Sequence, residues 1–164
     1  MGLPDRYVEA LRVIVSAIGD RPVEWALTGS ASMALQGVPV DVHDIDIQTD
    51  KDGAFAIADA LKEHVTRPVR WSQADRIRSY FGTLEVNGLT VELIGDLQKR
   101  LPDGTWEPPV DVRKHRDWVQ VGEMRIPVLT IEYEAEAYRK LGRHDRARLL
   151  ERWLHERDVS SGRS

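Results

Sequence analysis

The chain has no cysteine, which excludes disulfides, thiolate metal sites and a cysteine nucleophile, and leaves only oxygen or imidazole to hold a metal. No apolar run approaches the ~18 residues of a membrane span. The opening Met1-Gly2-Leu3-Pro4-Asp5-Arg6 lacks the basic-then-apolar order of a secretory signal, and the expectation is a cytoplasmic protein. Both common phosphate loops are missing, Gly-x-x-x-x-Gly-Lys-Ser/Thr and Gly-x-Gly-x-x-Gly alike. There is no internal repeat, low-complexity block or heptad run. A net charge of −4 argues against broad binding to a nucleic-acid backbone and favours small molecules or a specific partner.

What is there suits a globular fold. At 164 residues, 41% hydrophobic and 30% charged, the chain can bury roughly 70% of the surface it exposes when unfolded. The expectation is one domain over 1–164, with a catalytic core at about 20–95 and a C-terminal extension at about 96–158. Tyr7, Val8, Leu11, Ile14, Val15 and Ile18 recur at helical spacing. Val23 to Leu27 reads as a strand, Thr28-Gly29-Ser30 as its turn and Ala31 to Gln36 as a short helix. A strand follows from about Ile45 to Gln48, then a helix from Ala54 to Glu63 with Phe55, Ile57, Ala58 and Leu61 on its buried side. Asn87-Gly88 between Ser79–Val86 and Leu89–Ile94 predicts a tight hairpin, because this dipeptide accepts the positive φ of a two-residue turn. The stretch from Leu101 to Pro109 reads as an ordered loop or second hairpin, and two short strands flank Gly122-Glu123. Thr130–Leu141 and His144–His155 form a helical pair, with Leu149, Leu150, Trp153 and Leu154 as the apolar stripe of the second and fraying after Asp158.

The chemistry gathers in three carboxylates. Asp44 and Asp46 lie in His43-Asp44-Ile45-Asp46-Ile47, and Glu92 in Thr90-Val91-Glu92-Leu93-Ile94. On a strand, residues i and i+2 share a face, so the two aspartates would point together while Ile45 and Ile47 pack behind them. Adjacent ionised acids repel, and a bound cation or a shared proton relieves them. The competing interpretation is a solvated edge strand with two surface acids. Upstream, Gly29 and Ser30 stand where a strand becomes a helix, a place where backbone N–H groups and a hydroxyl can meet a phosphate. Plain helix capping would use the same two residues.

The ordered set Ala26-Leu27-Thr28-Gly29-Ser30, thirteen intervening residues, Asp44-Ile45-Asp46-Ile47, then Val91-Glu92-Leu93 resembles the nucleotidyltransferase superfamily with the DNA polymerase beta-like fold. The resemblance is to its small bacterial branch of minimal, aminoglycoside and lincosamide nucleotidyltransferases. It covers residues 25–94. The third acid is commonly Asp in that family and is Glu here. The resemblance implies an α/β (α+β) fold, a short mixed sheet with helices packed on it and a C-terminal helical pair. It implies Mg²⁺ (or Mn²⁺) on Asp44, Asp46 and Glu92, Gly29 and Ser30 on the β- and γ-phosphates, and transfer of a nucleoside monophosphate from an NTP to an unidentified hydroxyl acceptor. Glu92 would complete the metal site or take the acceptor's proton. The acceptor is expected to be a small molecule, with RNA or protein left open. A rival interpretation keeps the fold without turnover, as a nucleotide-binding or toxin–antitoxin-type module.

Other residues carry less. Lys140 or Arg139 could approach the triphosphate, as a basic residue of a C-terminal helix does in relatives; a solvated basic face competes with that role. His43 adjoins the acid pair. Arg67, Arg70, Arg76 and Arg78 could meet an anionic acceptor or nucleotide, with surface solvation the plainer role. Trp71, Trp106 and Trp118 could stack on a ring or simply pack. His115-Arg116-Asp117 matches a kinase catalytic triplet, but the glycine-rich loop, strand lysine and Asp-Phe-Gly of that family are missing.

Overall fold

A computed structural model describes residues 2–160. The elements run α1 (Asp5–Ile18), β1 (Trp25–Thr28), α2 (Gly29–Leu35), β2 (Ile45–Thr49), α3 (Lys51–Ala60), β3 (Val65–Gln73), β4 (Ile77–Val86) and β5 (Leu89–Lys99). Then come β6 (Arg116–Val121), β7 (Met124–Leu129), α4 (Ile131–Lys140) and α5 (His144–Ser160). All seven strands form one mixed sheet in the order β3-β4-β5-β2-β1-β7-β6. β2 runs antiparallel to β1 and parallel to β5, and β1 runs parallel to β7. This is the α/β architecture expected, with the helical pair α4 and α5 at the C-terminal end.

The periodicities explain the layers. Tyr7, Leu11, Ile14 and Ile18 form one stripe of α1 and pack on Ile45, Ile47, Val91 and Leu93 from alternate positions of β2 and β5. The intervening residues of those strands, Asp46, Glu92 and Ile94, therefore face the other way. Asn87 and Gly88 have φ of 54° and 75°, and Val86 pairs with Leu89, so the tight hairpin forms as its sequence requires. The strands flanking Gly122-Glu123 pair from Val121↔Met124 to Arg116↔Leu129. The 101–109 stretch is an ordered turn closed by an Arg100↔Trp106 bridge.

Four expectations change. α3 begins at Lys51, because the Asp50 side chain accepts a hydrogen bond from the Gly53 N–H and caps it. Ile57 and Leu61 are buried and Ala58 packs against the core as expected, joined by Gly53 and Ala54, while Phe55 is exposed. The segment from Val65 to Gln73, which carries Arg67 and Arg70, is a strand on the sheet edge. In α5, Leu150 is buried while Leu149 is exposed. α5 itself continues to Ser160, and the rest of the fraying expected after Asp158 lies outside the described residues.

Candidate active site

β2 is flanked by β5 on one side and β1 on the other, so Asp46 stands on an interior strand and not on a solvated edge. Register lines up Thr28, Asp46 and Glu92 across β1, β2 and β5. Asp44 occupies the bend before β2, half-buried on the approach to the same face. Burial, then the charges of Glu92 and Asp44 close by, push the Asp46 carboxyl up to about 8. Asp46 Oδ1 is buried and meets no hydrogen-bond donor; one position along the face, Gln48 Oε1 is in the same condition. Buried oxygens in native proteins are nearly always satisfied, and an acceptor-only carboxylate beside two further acids is suited to a cation. Among the described residues the acids do not close into a cage of three or more ligands. That arrangement fits an ion such as Mg²⁺, which binds through one or two carboxylates and completes its shell with water and substrate phosphates.

Gly29 is fitted to this carboxylate. Its φ is +73°, and a Cβ placed on it would stand 2.6 Å from Asp46 Oδ2. Only glycine supplies both the left-handed backbone and the room. The neighbouring Ser30 is buried, and its Oγ accepts a hydrogen bond from the His43 N–H at 2.9 Å, which leaves the hydroxyl proton free to donate. Since α2 has only seven residues, its dipole is small, and the Ser30 hydroxyl is the donor this turn offers.

A fourth acid, absent from the sequence expectations, completes the turn. Glu134 of α4 is only 4% exposed. Its carboxylate accepts a short hydrogen bond from the Thr28 hydroxyl and a long one, 3.4 Å, from the Gly29 N–H. Burial pushes its carboxyl up to about 7, opposed by those hydrogen bonds and by Lys99. Glu134 thus ties α4 to the end of β1 and takes the Gly29 N–H for itself. The signal lay in the α4 pattern, where Glu134 falls into the apolar stripe with Ile131, Ala135 and Tyr138 at i, i+3, i+4 and i+7.

The sequence profile of the aminoglycoside-2''-adenylyltransferase family matches residues 10–150. The chain belongs to that family. A crystal structure of a candidate nucleotidyltransferase (TM1012) from Thermotoga maritima is 50% identical, with 95% of this chain and 96% of that one covered and a TM-score of 0.82. Two further solved structures share the fold at 14% identity and a TM-score of 0.58. These are the lincomycin-bound lincosamide antibiotic adenylyltransferase LnuA (87% of this chain, 95% of that one) and the solution structure of ANT(2'')-Ia (97% and 90%). None of the curated proteins matches it in sequence. The superfamily suggested by the Gly-Ser turn and the acid pattern is therefore the right one, and the chain is a nucleotidyltransferase by family.

In this family member the remaining expected residues divide. Lys140 donates to Glu107 Oε2 at 2.8 Å and lines a cavity of about 590 Å³ with Lys99, Glu107, His115 and Tyr133. It is engaged there, and Glu134, not Lys140, is the α4 residue at the Gly29 turn. In the same cavity Lys99 is buried, donates to the Tyr133 hydroxyl at 3.0 Å and is held below the usual lysine range by burial. The His115 ring stacks on Tyr133 at 4.3 Å. Arg139 pairs with Glu151 across the helical pair. His43 is exposed and serves through its backbone. Trp106 carries the Arg78 guanidinium 4.3 Å from its ring, Trp71 meets Tyr80 edge-on at 5.0 Å, and Trp118 lies between Arg116 and Arg125. Arg76 is exposed beside Gly142.

Proposed function

We propose that the chain transfers a nucleoside monophosphate from a nucleoside triphosphate to the hydroxyl of a small-molecule acceptor, with Mg²⁺ or Mn²⁺ held by Asp44 and Asp46 and with Glu92 beside them as a further ligand or as the base. The observation that carries this reading is the unsatisfied, buried Oδ1 of Asp46 on an interior strand, on a carboxylate whose other oxygen, Oδ2, packs where a Cβ of residue 29 would stand. When bound, the divalent ion neutralises phosphate charge and polarises the α-phosphate. Asp46 and Asp44 supply carboxylate oxygens from one side of the row. The Ser30 hydroxyl donates to the β- or γ-phosphate, and Gly29, lacking a Cβ, lets the turn that carries Ser30 lie against the Asp46 carboxylate. Glu92, half-buried and level with Asp46, accepts the proton of the attacking hydroxyl or completes the ion's shell. Glu134 orients the turn by holding Thr28 and Gly29. The new bond joins acceptor oxygen to α-phosphorus, the α–β bridging bond breaks, and pyrophosphate leaves. Mg²⁺ and nucleoside triphosphates are both plentiful in cytoplasm, which suits the cysteine-free chain.

The test is calorimetric titration of ATP, GTP, CTP and UTP in Mg²⁺ and again in Mn²⁺. Saturable binding of at least one, abolished by a chelator, is expected. Failure of all four in both metals would sink the reading.

A further inference from the structure

The row of the sheet that holds the acids continues beyond them. Glu92 of β5 is level with Thr83 of β4, and Thr83 with Arg67 of β3. The next row runs Gln48, Ile94, Phe81 and Arg70. Strands lie about 4.8 Å apart, so the Arg67 backbone stands about 14 Å from that of Asp46, and β3 is bulged on both sides of Arg67, which lines one hollow with Arg70 and Phe81. Thr83, Phe81 and Ile94 are half-buried, and Arg67 and Arg70 are exposed. Among the described residues neither guanidinium has an ion-pair or side-chain hydrogen-bond partner. A hollow of about 240 Å³ lies between Arg67, Arg70, Trp71 and Phe81.

In-line displacement decides what this half of the face is for. Attacking and leaving oxygens stand on opposite sides of the α-phosphorus. Pyrophosphate leaves toward Gly29 and Ser30, which adjoin Asp46 on the β1 side. The acceptor hydroxyl therefore enters from the β5 side, past Glu92, and the rest of the acceptor lies over β4 and β3.

We infer that the acceptor is a small hydroxyl compound carrying an oxyanion, a phosphate or carboxylate, which Arg67 and Arg70 hold while Phe81 and Ile94 floor its carbon skeleton. Guanidinium is the side chain best matched to such groups, through paired N–H donors. The same two charges repel an aminoglycoside, whose amines are protonated at neutral pH. The hollow is the size of one small anionic group, and the chain's net charge of −4 disfavours nucleic acid. The step balances as nucleoside triphosphate plus acceptor alcohol giving the phosphodiester of the acceptor, pyrophosphate and a proton.

This inference rests on the nucleotidyl-transfer reading, and the experiment separates the two. A small-molecule cell extract is divided by ion exchange into anionic, neutral and cationic fractions. Each fraction, and kanamycin alone, is incubated with the full chain, Mg²⁺ and α-³²P-labelled nucleoside triphosphate. Label is expected to enter the anionic fraction only, and pretreatment of that fraction with phosphatase tells a phosphate-bearing acceptor from a carboxylate-bearing one. Arg67→Gln with Arg70→Gln should lower that transfer tenfold or more, through KM for the fraction, while nucleotide Kd and Tm stay as in the wild type. Transfer to neutral or cationic compounds, to kanamycin or to RNA, transfer unmoved by the double variant, or no transfer by protein that binds nucleotide overturns the anionic acceptor alone. Absence of nucleotide binding overturns both.

Discussion

Glu134 and Gly29 are the residues through which the acid row is tied to the rest of the fold, and each yields a measurable consequence. The folded-state carboxyl of Glu134 is pushed from 4.5 up to about 7. Between those values the folded chain holds a proton that the unfolded chain has released, so stability falls as pH rises through that window, by up to about 1.4 kcal/mol per pH unit for one proton. Asp46, pushed up to about 8, adds a slope of the same sign that extends higher. In Glu134→Gln the amide cannot titrate. Chemical denaturation at pH 5, 6 and 7 should then give a slope flatter by about 1 kcal/mol per pH unit, whatever the mutation does to absolute stability; an unchanged slope refutes the buried protonated acid. Gly29→Ala sets a Cβ against Asp46 Oδ2 in a left-handed conformation. It should cost about 1–3 kcal/mol of stability and weaken nucleotide binding, as urea melts and calorimetry would show. An alanine variant as stable as wild type would mean the turn relaxes freely.

At the scale of elements, legibility followed locality. The Asn87-Gly88 hairpin, the Gly29 turn and the Asp46 strand are each set by residues within a few positions, so pattern alone predicts them. α3 begins three residues before the expected start because that start depends on one cap, Asp50, while its apolar spacing placed Ile57, Ala58 and Leu61 correctly on the core side. β3 escaped notice because it is an exposed edge strand with Pro68 and register shifts between Val65 and Arg70, and such a strand lacks the alternation that marks a half-buried one. Glu134 stands among Glu132 and Glu136, and only its place in the Ile131-Ala135-Tyr138 stripe separates it from them in the sequence. β2 itself bears a testable conflict, since its backbone is held on both sides while its acids repel. Asp44→Asn with Asp46→Asn should leave Tm at pH 8 equal or higher while abolishing nucleotide binding in Mg²⁺. A fall of many degrees would assign the pair a structural role.

The whole molecule bears on whether the acid-bearing half can stand without the rest. β7, far along the chain, lies parallel to β1 and covers its outer edge, with Leu27 level with Val128. Ile126, Val128 and Leu129 are fully buried, Val112 and Leu129 close over Ala26, and Ile131, Ala135 and Leu150 surround Met33 of α2. Losing Ile126, Val128 and Leu129 alone forfeits about 5–9 kcal/mol at 1.5–3 kcal/mol for each buried aliphatic side chain, against a typical net stability of only about 5–15 kcal/mol. It also bares a β1 edge whose unpaired backbone groups invite aggregation. The expected core at about 20–95 is thus a catalytic half and not an autonomous unit, and we propose that the chain folds as one domain. A fragment ending at Arg100 retains the Gly29 turn, Asp44, Asp46, Glu92 and β1 to β5. It should nonetheless show no cooperative thermal transition by circular dichroism and bind no nucleotide. A fragment that melts cooperatively would show that the sheet closes without β7, and would move Glu134 from a support of the site to an accessory.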